Sequence, residues 1–322
     1  MSSVDLKLED RKRFLPSLLV FLKGMAMGVG DSIPGVSGGT IAVITNIYEE
    51  LIRSLSKIDI TALKLFFSGS ITKFWIHING KFLFTLALGV LAGLLLSANS
   101  ILYLLENRFE VLMAFFMGLV LSSVWFLKSE VDWRVWQNGF AALLGLLVAI
   151  AVSVIPPQLA TISYLTVFLS GMVAICAMIL PGLSGAFILL ILGIYEFILS
   201  ALISIQLDFI LVFAAGCAIG LISFTHLLAW LLKNYHALAY SVICGMLLGS
   251  ISSLWPWQHL DASYIGSTGE LRPLASQNLS PLSYSELTGN EPYFWLALGS
   301  LIAGVFVVVI LHKGFESQSG DK

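Results

Sequence analysis

The chain has 322 residues, a mean hydropathy of +0.93, 58% hydrophobic residues and only 11% charged ones. A soluble domain needs far more charge on its surface, so this composition excludes one and indicates a polytopic membrane protein. The net charge of −2 comes with nothing resembling a nucleic-acid surface, and the three cysteines, Cys176, Cys217 and Cys244, stand singly in apolar segments without metal-ligand spacing.

In chain order, apolar windows fall at 14–30, 40–55, 82–102, 110–128, 138–155, 162–180, 186–204, 209–231, 237–255 and 294–312. Arg11, Lys12 and Arg13 precede the first in the manner of a signal peptide, but no small-residue cleavage site follows, and the segment is read as retained. The second window, Thr40 to Leu55, has 16 residues. At ~1.5 Å per residue it is too short for a ~30 Å hydrocarbon core. Basic residues flank this pair of windows: Arg11 to Arg13 on one side, and Arg53, Lys57, Lys64, Lys73 and Lys81 on the other. The positive-inside rule puts both flanks in the cytoplasm, so 14–55 is expected to be a re-entrant hairpin. Spans then alternate through 82–155, with Lys128 and Arg134 inside. From Gly139 to Tyr195, 57 consecutive residues lack Asp, Glu, Lys and Arg, enough for several crossings or turns. A second hairpin, 162–204, enters from outside, and spans 209–312 follow, with an acidic 256–293 loop outside. Both termini are expected in the cytoplasm.

A phrase recurs within this plan. Pro34-Gly35-Val36-Ser37-Gly38-Gly39, running on to Ile47-Tyr48-Glu49, is matched 147 residues later (34 to 181, 49 to 196) by Pro181-Gly182-Leu183-Ser184-Gly185-Ala186 and Ile194-Tyr195-Glu196. Gly24-Met25 recurs as Gly171-Met172 at the same offset, whereas Gly89, Gly93 and Gly118 match Gly216, Gly220 and Gly245 at an offset of 127. Each half, 1–158 and 159–322, thus holds a hairpin and three crossings. Three is odd, so the fold class expected is an all-α polytopic membrane protein built as an inverted-topology repeat, a common plan of alternating-access transporters.

Irregular backbone at membrane depth is tolerated only inside protein or beside a polar cavity. Ser37 and Ser184 are expected to N-cap the returning arms, with the glycines leaving bare N–H groups for an anion. The candidate binding residues are Pro34, Gly35, Ser37, Gly38, Gly39 and Thr40 in the first copy and Pro181, Gly182, Ser184 and Gly185 in the second. The alternative is that these are tight tips where glycine allows close helix approach. Carboxylates within spans are costly and mark function or a buried partner, which singles out Glu49 and Glu196 as coupling candidates. Glu196 has the more apolar surroundings, where proton exchange is expected rather than a permanent charge. Asp31 has Met178 at the symmetric position, so its role would be asymmetric; His226 matches Asn99 and is the remaining candidate.

Gly30-Asp31-Ser32-Ile33-Pro34-Gly35-Val36-Ser37-Gly38-Gly39-Thr40 and Leu180-Pro181-Gly182-Leu183-Ser184-Gly185-Ala186, each followed by Ile-Tyr-Glu, resemble a bacterial family assigned as polyprenyl-phosphate transporters. The resemblance implies a flippase in the cytoplasmic (inner) membrane that returns undecaprenyl phosphate from the outer to the inner leaflet for cell-envelope polysaccharide synthesis, including peptidoglycan. It implies a lipid phosphate substrate and no enzymatic step; no cofactor or metal is expected, and the carboxylates in the spans point to coupling to protons or sodium. Oligomeric state stays open. Two other classes use similar features. A membrane undecaprenyl-pyrophosphate phosphatase has a Pro-Gly-x-Ser phrase, but with an Arg after the Ser; here Gly38 and Gly185 follow, leaving no cation for a phosphoryl transition state. A small-anion transporter or channel would use the same paired helix ends.

Overall fold

A computed structural model describes residues 3–33, 36–155, 161–265 and 271–319. The first half comprises α1 (Ser3–Asp31), α2 (Gly38–Ile44), α3 (Tyr48–Ser56), α4 (Ile60–Phe67), α5 (Ile71–His77), α6 (Gly80–Asn107), α7 (Phe109–Leu127) and α8 (Trp136–Val154). The second comprises α9 (Tyr164–Ile179), α10 (Gly185–Ile191), α11 (Tyr195–Ile203), α12 (Leu207–Asn234), α13 (His236–Ser250), strands β1 (Gln258–Ile265) and β2 (Leu271–Asn278), α14 (Pro281–Thr288) and α15 (Phe294–Ser319). Among the described residues, four helices are long and apolar enough to cross a bilayer, within Gly80–Ser97, Phe109–Glu130, Trp136–Val154 and Leu207–Asn234; a bent pair, α10 with α11, makes a fifth if it counts as one span. Tyr164–Ile179, His236–Ser250 and Phe294–Ile310 are shorter apolar helices.

Three pairs of helices at the repeat offsets match in length, while α4 and α5 in the first half and β1, β2 and α14 in the second have no counterpart among the described residues. α2 and α10 are each 7 residues, α3 and α11 each 9, and α6 and α12 each 28. The recurring glycines explain the packing. A Cβ on Gly89 would lie 2.2 Å from the Phe21 carbonyl oxygen, and one on Gly93 2.2 Å from that of Met25, so α6 rides directly on α1. The counterparts Gly216 and Gly220 meet Phe168 and Met172 in the same way at 2.1 and 2.7 Å, seating α12 on α9. Where hydrocarbon surrounds the helices, hydrophobic burial cannot drive association, and close backbone packing at small residues takes over. The later helices pair across the halves: α7 lies on α15 and α8 on α13. Gly118 touches the Leu301 carbonyl and its counterpart Gly245 that of Ala142, at 2.1 and 1.9 Å from a built Cβ.

Three expectations change. The returning arms are not single helices. Thr45-Asn46-Ile47 breaks the first and Leu192-Gly193-Ile194 the second, with α11 bent 107° from α10. Both breaks are the same helix stop: Asn46 (φ 55°) and Gly193 (φ 67°) sit in the left-handed region. Behind them the Ile47 and Ile194 amides reach back to the Ala42 and Leu189 carbonyls at 2.9 and 3.0 Å. The basic connection between hairpin and α6 is itself helical, with Asp59 capping α4 through the Ala62 amide at 2.8 Å. The 256–293 loop carries an antiparallel two-stranded sheet, an addition to an otherwise helical membrane protein. It is tied down by Trp255 Nε1 donating to the Leu279 carbonyl (2.7 Å), Trp257 Nε1 to that of Pro292 (2.8 Å), and Tyr284 Oη to buried Glu110 (2.6 Å).

Candidate functional site: two interlocked tips

The two Ser-Gly tips come together. Ser37 Oγ donates to the Met178 carbonyl at 3.0 Å, with the Leu180 carbonyl at 3.4 Å, and the Gly182 amide donates to Thr40 Oγ1 at 2.9 Å. A Cβ on Gly39 would stand 2.5 Å from the Ile179 carbonyl oxygen, and one on Gly182 (φ 85°) 2.7 Å from that of Met246. Glycine at these two positions therefore permits close backbone approach, the alternative reading of the phrase. Ser37, Gly38, Gly39, Thr40, Pro181, Gly182 and Gly185 are all buried, and Ser184 is half-buried. Pro34 and Gly35 lie outside the described residues.

Both serines are N-caps. Ser37, with extended backbone, accepts from the Gly39 amide at 3.1 Å, and Ser184 accepts from the Phe187 amide at 3.4 Å. The expectation of bare donors is corrected at the first tip. Asp31 Oδ1 accepts from the Gly38 amide at 2.6 Å, so a carboxylate of the chain itself takes the donor expected to be free. At the second tip, Met178 takes the matching position and, among the described residues, no acceptor bonds the Gly185 or Ala186 amide.

The glutamates separate. Glu49, at the start of α3, is gripped from the other half: Oε1 accepts from His236 Nε2 at 3.1 Å and Tyr240 Oη at 2.9 Å. Its Oε2 lies 3.7 Å from Arg53 Nη2 one turn along. Glu196, at the start of α11, is half-buried. His226 is exposed on α12, with Nδ1 2.7 Å from the Ile222 carbonyl one turn back. It is thus a helix-surface histidine that bonds its own backbone. His236 and Tyr240 escaped sequence reasoning. They belong to the second half and meet Glu49 only through the fold, although their spacing of four places them on one helix face.

These observations define the class: a multi-pass helical membrane protein whose two broken-helix hairpins meet at buried polar tips. A family model described as VCA0040-like, undecaprenyl phosphate translocase-like, matches residues 27–272, and the chain belongs to that family. It is 40% identical over 299 residues, 93% of its length and 97% of the relative's, to the polyprenyl-phosphate transporter of Vibrio cholerae serotype O1. It is 29% identical over 253 residues, covering 73% of this chain and 85% of the relative, to the Staphylococcus aureus protein of the same name. No solved structure matches it. Family and relatives are named as a translocase and transporters, not as enzymes.

Proposed function

We propose that this protein moves a polyprenyl phosphate between the leaflets of the bacterial cytoplasmic membrane, returning undecaprenyl phosphate from the outer to the inner leaflet without hydrolysing it. The observation that carries this reading is the 40% identity, over nearly the full length of both chains, to a polyprenyl-phosphate transporter. The headgroup is handled where the two tips meet, at Ser37, Gly38, Gly39 and Thr40 against Pro181, Gly182, Ser184 and Gly185, with Pro34 and Gly35 completing the first phrase. Asp31 holds the first tip closed and yields it to phosphate. In support, both tips are polar, buried and mutually bonded, an arrangement that hydrocarbon tolerates only around a site or a packed core.

The halves 1–158 and 159–322 form an inverted repeat, and one hairpin moving against the other supplies alternating access. The three helix pairs of equal length and the charge distribution support this. Cysteine labelling should find positions near 65 and 130 cytoplasmic, and 158 and 275 external; external labelling at 65 would remove the inverted repeat. Transport is coupled to protons or sodium, with Glu196 the first residue to test ahead of Glu49, His226 and Asp31. Glu196→Gln keeps shape but cannot exchange a proton, so it should bind lipid phosphate and lose dependence on a pH gradient. Gradient dependence that persists in this variant would rule out Glu196 as the carrier.

The deciding experiment is reconstitution. Purified protein in liposomes should carry polyprenyl phosphate between leaflets and release no inorganic phosphate from the pyrophosphate form. Phosphate release by clean protein would contradict this reading.

A further inference from the structure

A second charged site lies away from the tips, where α3 meets α12. Glu49, Ile52, Arg53, Ala229, Leu232 and Lys233 line a cleft of about 350 Å³, within the range of small-ligand pockets. Its charges do not cancel. Glu49 is fastened to α13 through His236 and Tyr240, both bonding Oε1, whereas Arg53 reaches the other oxygen only at 3.7 Å. Most of the Arg53 side chain remains exposed (70%), so its guanidinium fork keeps donors in reserve. Lys233, in the last turn of α12, makes no ion pair among the described residues. Two cations thus face a single carboxylate that is already held by other donors, beside a wall of Ile52, Ala229 and Leu232. The other half offers no equivalent. Counting by the two repeat offsets, the positions matching Arg53 and Lys233 hold Ser200 and Glu106, and those matching His236 and Tyr240 hold Phe109 and Met113.

We infer that this cleft is a one-sided binding site for a phosphomonoester dianion, with Arg53 and Lys233 as its cations. The apolar wall receives the first part of an attached chain, and Glu49 is an internal competitor for Arg53. Arginine matches phosphate with paired donors and lysine adds a point charge, the combination that a dianion at a membrane boundary needs. The identity of the dianion as a lipid headgroup in the cytoplasmic leaflet rests on the function and topology proposed above. There, the site holds the delivered headgroup after it leaves the tips.

The test uses the full chain in nanodiscs of neutral lipid, with equilibrium binding of farnesyl phosphate, farnesol and inorganic phosphate. Arg53→Gln with Lys233→Gln should weaken farnesyl phosphate by about tenfold or more, the scale of lost charge-assisted contacts, and leave farnesol unchanged. Glu49→Gln should tighten farnesyl phosphate by about threefold, because a weak competing ion pair is removed. Arg53→Lys with Lys233→Arg keeps both charges and should retain binding, which guards against a folding effect. Inorganic phosphate competing in the wild type would show that the dianion alone is recognised; failure to compete would assign the site to a lipid headgroup that needs the apolar wall. Unchanged farnesyl phosphate affinity in the Gln pair, or equal loss in the charge-keeping pair, would overturn the inference. If the Gln pair binds normally while liposomes still show transport, the cleft falls and the transport reading stands. If wild type moves no lipid yet the Gln pair loses farnesyl phosphate, the cleft stands alone.

Discussion

At the first tip, side chains do the bonding: Asp31 takes the Gly38 amide, Ser37 reaches the Met178 carbonyl, and Thr40 takes the Gly182 amide. At the second tip the matching positions are Met178, Ser184 and Phe187, and what it offers its partner is main chain, the carbonyls of Met178 and Leu180 and the amide of Gly182. The helix stops are nevertheless alike, and a serine caps the helix in both, through the amide two residues on at Ser37 and three residues on at Ser184. The two tips therefore share a backbone shape without side-chain equivalence. Charge has collected in one hairpin, with Asp31, Glu49 and Arg53 standing against Met178, Glu196 and Ser200. Two copies of one shape are thus differently equipped.

The sharpest way to break this comparison is to place the same valine at each tip. Gly39→Val drives a side chain into the Ile179 carbonyl, whereas its counterpart Ala186 is exposed and already carries a Cβ. Gly39→Val should abolish liposome transport and cost about 1–3 kcal/mol of stability, as overpacking does. Ala186→Val should change both little. Equal damage from the two would mean that the tips are equivalent after all.

A smaller effect is expected from removing the charge difference. Asp31→Ala leaves the Gly38 amide without its charged acceptor and should lower stability by about 1.5–3 kcal/mol, read as thermal unfolding in lipid nanodiscs. Met178→Ala, at the matching and partly exposed position, should cost under about 1 kcal/mol. The smallest effect concerns the shared helix stops. Gly193→Val places a β-branched residue in the left-handed region and should cost about 1–2 kcal/mol, while Asn46→Gly should be near neutral.

The repeat was legible because it is written in residues with few substitutes. Glycines at the α1/α6 and α9/α12 seams recur because any Cβ there meets a carbonyl, and Ser37 and Ser184 recur because each caps a helix. The breaks at Asn46 and Gly193 do not show in hydropathy, although both stand at the repeat offset; an Asn matched to a Gly is the signature of a left-handed helix stop. The Asp31 to Gly38 bond crosses a turn that sequence spacing does not close. The grip of His236 and Tyr240 on Glu49 joins residues nearly 190 positions apart (49 to 236 and 240) and no local pattern points to it. The sheet in 256–293 is not legible in its acidic composition, since charge and hydropathy report on sidedness and not on backbone pairing.

The central claim is that the interlocked tips must part for substrate to pass, and locking them tests it directly. Ser37→Cys and Leu180→Cys, placed in a chain with Cys176, Cys217 and Cys244 replaced, can be bridged by a short thiol cross-linker that a reductant cleaves. The bridged protein should move no polyprenyl phosphate in liposomes and regain transport on reduction. Full transport by the bridged protein would contradict the claim.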